Sequence, residues 1–306
     1  MPVDAVSLDH VAKRYGSVEA LADLSLSIAP GEMFGLIGPD GAGKTTTIRV
    51  MCGLLAADAG TVRVLGLDPR RDHRKLTDAV GYLSQSFSLY GDLSIDENIA
   101  FFAEIHGMRD YGRRRDRLLA MTQLTPFRGR LAGQLSGGMK QKLALACTLV
   151  HEPRIILLDE PTTGVDPVSR REFWKLLSEF QVQGITIVMS TPYLDEAERC
   201  ARVALLHNGR LLAMDTPSAL RQALPGRLFE VITPDHRKAA RLLPELDGVE
   251  SVELFGERAH VRMKSGVDLN VSQLEETLRR GGLATTSVRP LTASLEDVFV
   301  AKLGEA

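Results

Sequence analysis

A glycine-rich stretch early in the chain has the residue types and spacing that bind phosphate groups. Residues 38–45 match the pattern G-x-x-x-x-G-K-[ST] and follow a short apolar run. Glycines let successive backbone N–H groups turn towards phosphate oxygens, and a helix beginning near Gly43 adds the positive end of its dipole. The Lys44 ammonium can reach β- and γ-phosphates, and the Thr45 hydroxyl suits Mg²⁺. This pattern predicts a nucleotide site; a tight strand-to-helix turn without a ligand is the alternative.

The predicted nucleotide contacts are consecutive in the chain. They are Gly38, Pro39, Asp40, Gly41, Ala42, Gly43, Lys44, Thr45 and Thr46.

Two carboxylates follow an apolar run at 155–158, namely Asp159 and Glu160. If this run is a strand of a parallel sheet, both side chains lie at the carboxyl edge, where open α/β sheets bind ligands. Taken alone, the pair is equally consistent with a charged strand end that has no chemical role.

A second short glycine motif occurs at Ser136, Gly137 and Gly138, where a helix is predicted to begin. A hydroxyl and two glycine amides at a helix N-terminus form an anion site. A serine that merely caps the helix is the simpler alternative.

The elements that must position these groups alternate between strands and helices. Strands are predicted at 5–8, 24–28, 32–37, 155–159 and 185–190, and helices near 46–53, 94–106, 136–150 and 166–183. This alternation predicts an α/β fold with a largely parallel sheet and helices on its faces.

The pattern changes after about residue 224, and Pro225 and Gly226 indicate a linker. The remainder is predicted to run strand 228–232, helix 236–243, strands 249–255 and 258–263, helix 269–280 and strand 284–289, with a last helix at 294–302. This βαββαβ order is ferredoxin-like. We therefore predict a first domain at 1–222, with a helical subdomain at about 86–150, and a small α+β domain at 227–306.

Composition excludes several classes of protein. The 306 residues carry a net charge of −2, which gives no reason to expect a nucleic-acid partner. No apolar run approaches the roughly 18 residues of a membrane span, and the N-terminus lacks the features of a signal peptide. Three widely spaced cysteines suggest neither a metal pattern nor a disulfide framework.

Together the motifs resemble those of the ATP-binding cassette (ABC) ATPases, in family order over residues 5–215. The phosphate loop is similar to Walker A, the run ending in Asp159 and Glu160 to Walker B, and residues 135–141 to the signature in its drug-exporter form. Residues 164–166 are similar to the D-loop and Gln85 to the Q-loop glutamine. The expected fold is thus a P-loop ABC ATPase domain with a helical subdomain, plus the small ferredoxin-like domain.

The resemblance implies a role for each of these side chains. Glu160 would polarise the attacking water, assisted by Gln85 and Lys44, and Mg²⁺ would be held by Thr45, Gln85 and Asp159. Tyr15 stands where the family places an aromatic ring under adenine, although a half-buried core tyrosine is the alternative. Ser136, Gly137 and Gly138 would complete the ATP site of a partner subunit.

The main departure from the family pattern lies after the strand predicted at 185–190, and Asp40, where the family usually has Asn, is a smaller one. A histidine normally follows the strand predicted at 185–190 and contacts the γ-phosphate, but Pro192 stands there. Proline has neither a side-chain donor nor an N–H group, so we expect a degenerate site that binds ATP and hydrolyses it slowly. The alternative is that Glu160 and Gln85 suffice.

The resemblance extends to drug exporters of the daunorubicin-resistance kind and to the N-terminal cassette of YbhF-type tandem exporters. It implies an ATP-hydrolysing subunit, peripheral on the cytoplasmic face of the cell (inner) membrane, that powers efflux of a drug-like or cationic small molecule. Its expected partners are a second cassette, in a homo- or heterodimer, and separate membrane-spanning permease subunits, contacted through Phe87, Leu89 and Tyr90. A non-transport ABC ATPase and a regulatory cassette without efficient hydrolysis are the alternatives.

Overall fold

The computed structural model describes residues 4–85, 89–267, 270–284 and 287–305. The chain forms two compact units, Met1–Thr216 and Pro217–Ala306. The strands of the first unit are β1 (Val6–Tyr15), β2 (Val18–Ile28), β3 (Met33–Ile37), β4 (Ala59–Val64), β5 (Val80–Leu83), β6 (Ile155–Asp159), β7 (Thr186–Thr191), β8 (Arg202–His207) and β9 (Arg210–Asp215). Its helices are α1 (Lys44–Met51), α2 (His73–Ala79), α3 (Ile95–Ile105), α4 (Gly112–Met121), α5 (Gly137–Leu149), α6 (Pro167–Val182) and α7 (Leu194–Ala197).

A six-stranded sheet in the order β5-β6-β7-β3-β8-β9 lies at the centre of the first unit. Its strands are parallel except β9, which pairs antiparallel with β8. Both β3 and β6 are buried at every position, as expected of apolar strands covered on both faces. The predicted α/β sheet is thereby confirmed. Because β6, β7 and β3 are neighbours, Asp159 pairs with Ser190 and Ile37 pairs with Thr191 at one carboxyl edge.

A second sheet in the first unit, with the order β2-β1-β4, is antiparallel. The strands predicted at 5–8 and 24–28 are shorter than the observed β1 and β2, because the backbone pairing of these two strands continues as far as Tyr15 and Val18. Gly16, with φ of 59°, makes the turn between them. The tip of this hairpin therefore carries Tyr15 away from the core.

Side-chain caps fix the starts of the helices that flank the site. Ser94 caps α3 in a reciprocal capping box with Glu97, and the Ser136 hydroxyl accepts from the Met139 N–H at the start of α5. Asp166 caps α6, with proline at the first helical position. These caps satisfy N–H groups that have no intrahelical partner, so α5 and α6 begin where the sequence motifs place them.

The second unit contains the strands β10 (Leu228–Ile232), β11 (Val249–Phe255), β12 (Arg258–Met263) and β13 (Ser287–Leu291). Its helices are α8 (Pro217–Gln222), α9 (His236–Leu242), α10 (Val271–Arg280) and α11 (Leu295–Glu305). The strand order β11-β12-β10-β13 with antiparallel pairing is the ferredoxin-like arrangement that the βαββαβ order predicts. Its core is formed by one face of this sheet together with α9 and α10.

The division between the units differs from the predicted domain boundary. The sequence places the first domain's end at residue 222, but α8 groups with the second unit because it packs against α11. The start of α11 is fixed in turn by Asp297, which accepts hydrogen bonds from Ser294 and lies 2.8 Å from the His260 ring nitrogen Nδ1.

Candidate functional site

A cleft of about 550 Å³ opens at the carboxyl edge of the central sheet. The sequence-predicted residues that line it are Tyr15, Asp40, Gly41, Ala42, Gly43, Lys44, Thr45, Thr46, Gln85 and Glu160. Val18, Glu19 and Ala20 also line it, although the sequence analysis did not identify them. They reach the cleft because the β1–β2 hairpin extends over the loop, and the Tyr15-Gly16 turn was the signal that could have predicted this. The side chain of Tyr15 is 46% exposed on the cleft wall.

Glycine is required in the loop between β3 and α1 for steric reasons. A Cβ atom on Gly38 would lie 2.3 Å from the carbonyl oxygen of Leu206. Gly43 has φ of 100°, and its Cβ would lie 2.7 Å from the carbonyl oxygen of Ala20. The loop can therefore pass this close to its neighbours only with glycine at these two positions.

Lys44 is buried, with 4% of its side chain exposed, and its ammonium group has defined partners. It donates to the carbonyl oxygens of Gly38 at 2.8 Å and Pro39 at 3.0 Å. It also lies 3.1 Å from Glu160 Oε1. These contacts hold one positive charge at the base of the cleft, where a phosphate would compete with Glu160 for it.

Asp159 is fully buried at the end of β6, and its two oxygens have different surroundings. Oδ1 accepts from the Thr45 hydroxyl at 3.0 Å and from the Ser190 hydroxyl at 2.7 Å. No described residue donates to the buried Oδ2. A buried carboxylate oxygen without a donor, close to a threonine hydroxyl, provides the hard oxygen ligands that Mg²⁺ prefers. The residues present therefore fit a magnesium ion.

Glu160 has a strained backbone, and both its N–H group and its carboxylate have hydrogen-bond partners. Its φ of 48° is left-handed, which is uncommon for a residue with a Cβ. Its N–H donates to the Ser190 hydroxyl at 2.9 Å. Gln85 Nε2 donates to Oε2 at 3.0 Å, and the Thr163 hydroxyl lies 3.4 Å from the same oxygen. The predicted pair Gln85 and Glu160 is thus in direct contact, and Ser190 and Thr163 are additional partners that the motifs did not indicate.

The segment after β7 is anchored from behind by a buried carboxylate. Glu196 accepts from the hydroxyls of Thr191, at 2.8 Å, and Thr162, at 2.7 Å. The Arg170 guanidinium lies 3.5 Å from Glu196 and 4.8 Å from the centroid of the Tyr193 ring. Pro192 lies within this anchored segment and offers no hydrogen-bond donor to the cleft.

The second glycine motif is separate from this cleft. Ser136, Gly137 and Gly138 are not among the described residues that line it. Ser136 and Gly137 are exposed, whereas Gly138 is buried against Ser169, where a Cβ would lie 2.2 Å from the hydroxyl oxygen. The contact with Ser169 explains the glycine at position 138, whereas no described atom lies within 4 Å of a Cβ at Gly137.

Of the three residues proposed to meet a permease, Phe87 lies outside the described residues. Leu89 is half-buried. Tyr90 is 45% exposed and packs edge-on against Phe101, with the ring centroids 4.5 Å apart. In the described part of the chain, no helix is long and apolar enough to cross a membrane.

The three cysteines are free thiols in buried positions. Burial raises the pKa of each thiol, that of Cys200 to about 12. They contribute to packing and lie outside the candidate chemistry.

Residues 21–163 match the ABC transporter family. The chain is 40% identical, over 98% of its length, to the probable multidrug ABC transporter ATP-binding protein YbhF of Escherichia coli, but covers 52% of that protein. It therefore spans about half the length of this relative. It is 36% identical to the Nod factor export ATP-binding protein I of Paraburkholderia xenovorans, covering 99% of this chain and 98% of that protein. It is 33% identical to the daunorubicin resistance ATP-binding protein DrrA2 of Streptomyces coeruleorubidus, covering 98% and 95%.

Solved structures agree with these relatives. The ATP-binding subunit of an ABC transporter superposes with a TM-score of 0.65 at 30% identity, covering 71% of this chain and 92% of that chain. A dimeric bacterial ABC transporter cassette superposes with a TM-score of 0.61 at 27% identity, covering 69% and 98%.

Proposed function

Because the chain belongs to the ABC family of transporter ATPases, we propose that it binds and hydrolyses ATP as the nucleotide-binding subunit of an exporter. The observation that carries this proposal is the meeting of Lys44, Glu160 and Gln85 in one cleft, with the buried Asp159 joined to the cleft residue Thr45 by a hydrogen bond. Phosphate-binding backbone, metal-binding oxygens and a candidate base are the parts that phosphoryl transfer to water requires.

ATP binding is assigned to the loop and the hairpin. The N–H groups of the loop residues other than Pro39, which has none, and Ala42, which donates to the Pro39 carbonyl oxygen, surround the phosphates. The Lys44 ammonium neutralises them, and Tyr15 stacks on the base. As the γ-phosphate attracts Lys44, the contact of that ammonium with Glu160 weakens and frees a carboxylate oxygen. Thr45, Asp159 through Oδ2, and Gln85 would hold Mg²⁺. The metal, when bound, neutralises charge on the transferring phosphoryl group.

Hydrolysis is assigned to Glu160 and Gln85. Glu160 accepts a hydrogen bond from the attacking water and orients it for in-line attack, and the Gln85 amide fixes the carboxylate by its bond to Oε2. Pro192 supplies no donor to the γ-phosphate, which removes one stabilising contact from the transition state. Loss of such a donor costs about 10²–10³ in rate, so we propose that this site is degenerate.

The assembly is proposed to be a dimer of cassettes on membrane-spanning permease subunits. The exposed Ser136 and Gly137 would contact the ATP of the second cassette, which explains why they do not line this chain's own cleft. The relatives are named for multidrug, Nod factor and daunorubicin export. We propose by analogy that a small drug-like or cationic molecule leaves the cell through a separate permease, with this subunit on the cytoplasmic face of the cell membrane.

The test measures ATP binding and Mg-ATPase activity of the purified chain together. We expect wild type to bind Mg-ATP, Lys44→Ala to bind about tenfold more weakly, and Glu160→Gln to retain binding without turnover. Unchanged ATP affinity in Lys44→Ala, or turnover in Glu160→Gln equal to that of wild type, would contradict the assignment of the cleft.

A second candidate is a regulatory cassette that binds ATP to stabilise a catalytic partner. Pro192 favours it, whereas the intact set of Lys44, Asp159 and Glu160 favours an ATPase. Binding without any turnover above Glu160→Gln would select the regulatory cassette.

A further inference from the structure

One buried hydroxyl contacts both carboxylate residues of the site. Ser190, at the end of β7, is fully buried. Its Oγ donates to Asp159 Oδ1 at 2.7 Å and accepts from the Glu160 N–H at 2.9 Å. Because a serine hydroxyl has one proton to donate, Ser190 acts as a donor to Asp159 and as an acceptor for Glu160.

The bond to Asp159 determines which carboxylate oxygen is available. Oδ1 already accepts from Thr45, and Ser190 adds a second donor to the same atom. Two donors on one oxygen fix the plane of the carboxylate and leave Oδ2 without a described donor. Oδ2 is therefore the Asp159 oxygen that remains available to a metal ion.

The bond to Glu160 stabilises an unfavourable backbone conformation. A residue with a Cβ avoids φ near +48°, and such a conformation persists only where neighbouring groups hold it. The Ser190 hydroxyl holds the N–H of this residue directly. With the backbone held, the side chain reaches Gln85 on one oxygen and Lys44 on the other.

We propose that Ser190 is a positioning residue that orients Asp159 to present Oδ2 to Mg²⁺ and holds Glu160 against Gln85 and Lys44. The inference rests on the proposed ATPase function and adds to it a residue outside the phosphate loop, the carboxylate pair and the signature. Its effect passes through the two carboxylates, since Ser190 is fully buried and does not line the cleft.

The test is Ser190→Ala, which removes the oxygen with little change in volume. Outer partners of metal ligands typically contribute 10–100-fold, so we expect kcat to fall by about that factor. The Mg²⁺ concentration that half-saturates nucleotide binding should rise by about tenfold, whereas the Kd of ATP measured in EDTA stays unchanged. Ser190→Thr keeps the hydroxyl and should recover part of both losses.

The matched control is Thr186→Val at the other end of β7. It removes a buried hydroxyl that accepts from the Gly31 N–H and touches neither carboxylate. This variant should be destabilised to heat like Ser190→Ala but keep the wild-type dependence on Mg²⁺. Wild-type ATP binding and turnover in the same assay test the proposed function separately.

Two results would overturn the role of Ser190 while wild type remains active. One is a Ser190→Ala variant with wild-type kcat and Mg²⁺ dependence. The other is equal loss of ATP affinity with and without Mg²⁺, which would indicate general distortion of the cleft. If wild-type turnover is too slow to compare variants, Ser190→Ala is tested in the Pro192→His background, where we expect turnover to be about tenfold higher.

Discussion

At Gly38, a hydrogen atom occupies the position where any other residue would place a Cβ 2.3 Å from the Leu206 carbonyl oxygen. The backbone of β8 cannot yield without disturbing the sheet, so Gly38→Ala must shift the phosphate loop. We expect a loss of about 1–3 kcal/mol in the free energy of unfolding and weaker ATP binding. Chemical denaturation and an ATP titration measure the two effects.

The control for this prediction is Gly112→Ala. Gly112 has open space around its Cβ position and lies at the start of α4, so the variant should unfold within about 0.5 kcal/mol of wild type. If Gly38→Ala were as stable as Gly112→Ala, the steric account of the loop would be wrong.

Individual site residues differ in how far the sequence could reveal them. Lys44, Asp159 and Glu160 belong to motifs whose residue types follow from phosphate and metal chemistry. Ser190 is a single hydroxyl in an apolar strand, and nothing local distinguishes it from a core serine. Its role appears only when the pairing of β6 with β7 places it opposite Asp159.

At the scale of elements, two histidines join the ends of two helices. His106 follows α3 and His151 follows α5, and their rings stack with centroids 3.8 Å apart. His151 also lies 3.3 Å from the carbonyl oxygen of Val80 on β5. The stack therefore connects the helices between β5 and β6 to the edge of the central sheet.

Burial lowers the pKa of His151 to about 4 and also lowers the pKa of His106. The nearby Asp78 opposes both shifts, whereas Arg114 adds to that of His151. Between about pH 6.5 and pH 4, the folded chain binds fewer protons at these histidines than the unfolded chain does. Their contribution therefore leaves the free energy of unfolding highest above about pH 6.5 and lowers it as the pH falls towards 4. The part due to His151 is about 3 kcal/mol.

Urea unfolding at a series of pH values checks this prediction. His151→Gln keeps a donor near Val80 and removes the titration, so its stability should fall less steeply between about pH 6.5 and pH 4 than that of wild type. Equal slopes for the two proteins would contradict it.

The elements themselves were predictable to different degrees. The apolar run of β6 and the mixed apolar and polar patterns of β10, β11 and β12 belong to strands whose observed bounds equal the predicted ones. The prediction missed the outer part of the β1–β2 hairpin, where charged residues interrupt the apolar positions and register shifts interrupt the alternation, and where backbone pairing continues to Tyr15 and Val18. The grouping of α8 with α11 depends on contacts between segments distant in sequence.

At the scale of the whole molecule, the first unit combines a cleft lined by the glycine-rich loop, Gln85 and Glu160 with an exposed helix start at Ser136 and Gly137. The YbhF relative is about twice as long as this chain, which covers 52% of it. The degenerate cleft and the trans-acting signature that we propose would suit an unequal pair of cassettes, in which this chain completes the partner's site. A self-sufficient homodimer is the competing arrangement.

Steady-state Mg-ATPase activity of wild type, Pro192→His and Glu160→Gln distinguishes the two arrangements directly. We expect wild-type turnover that is slow but measurably above that of Glu160→Gln, and at least about a tenfold increase in Pro192→His, because imidazole restores a donor to the γ-phosphate. Wild-type turnover far above Glu160→Gln, with no gain in Pro192→His, would contradict the degenerate site and support the homodimer.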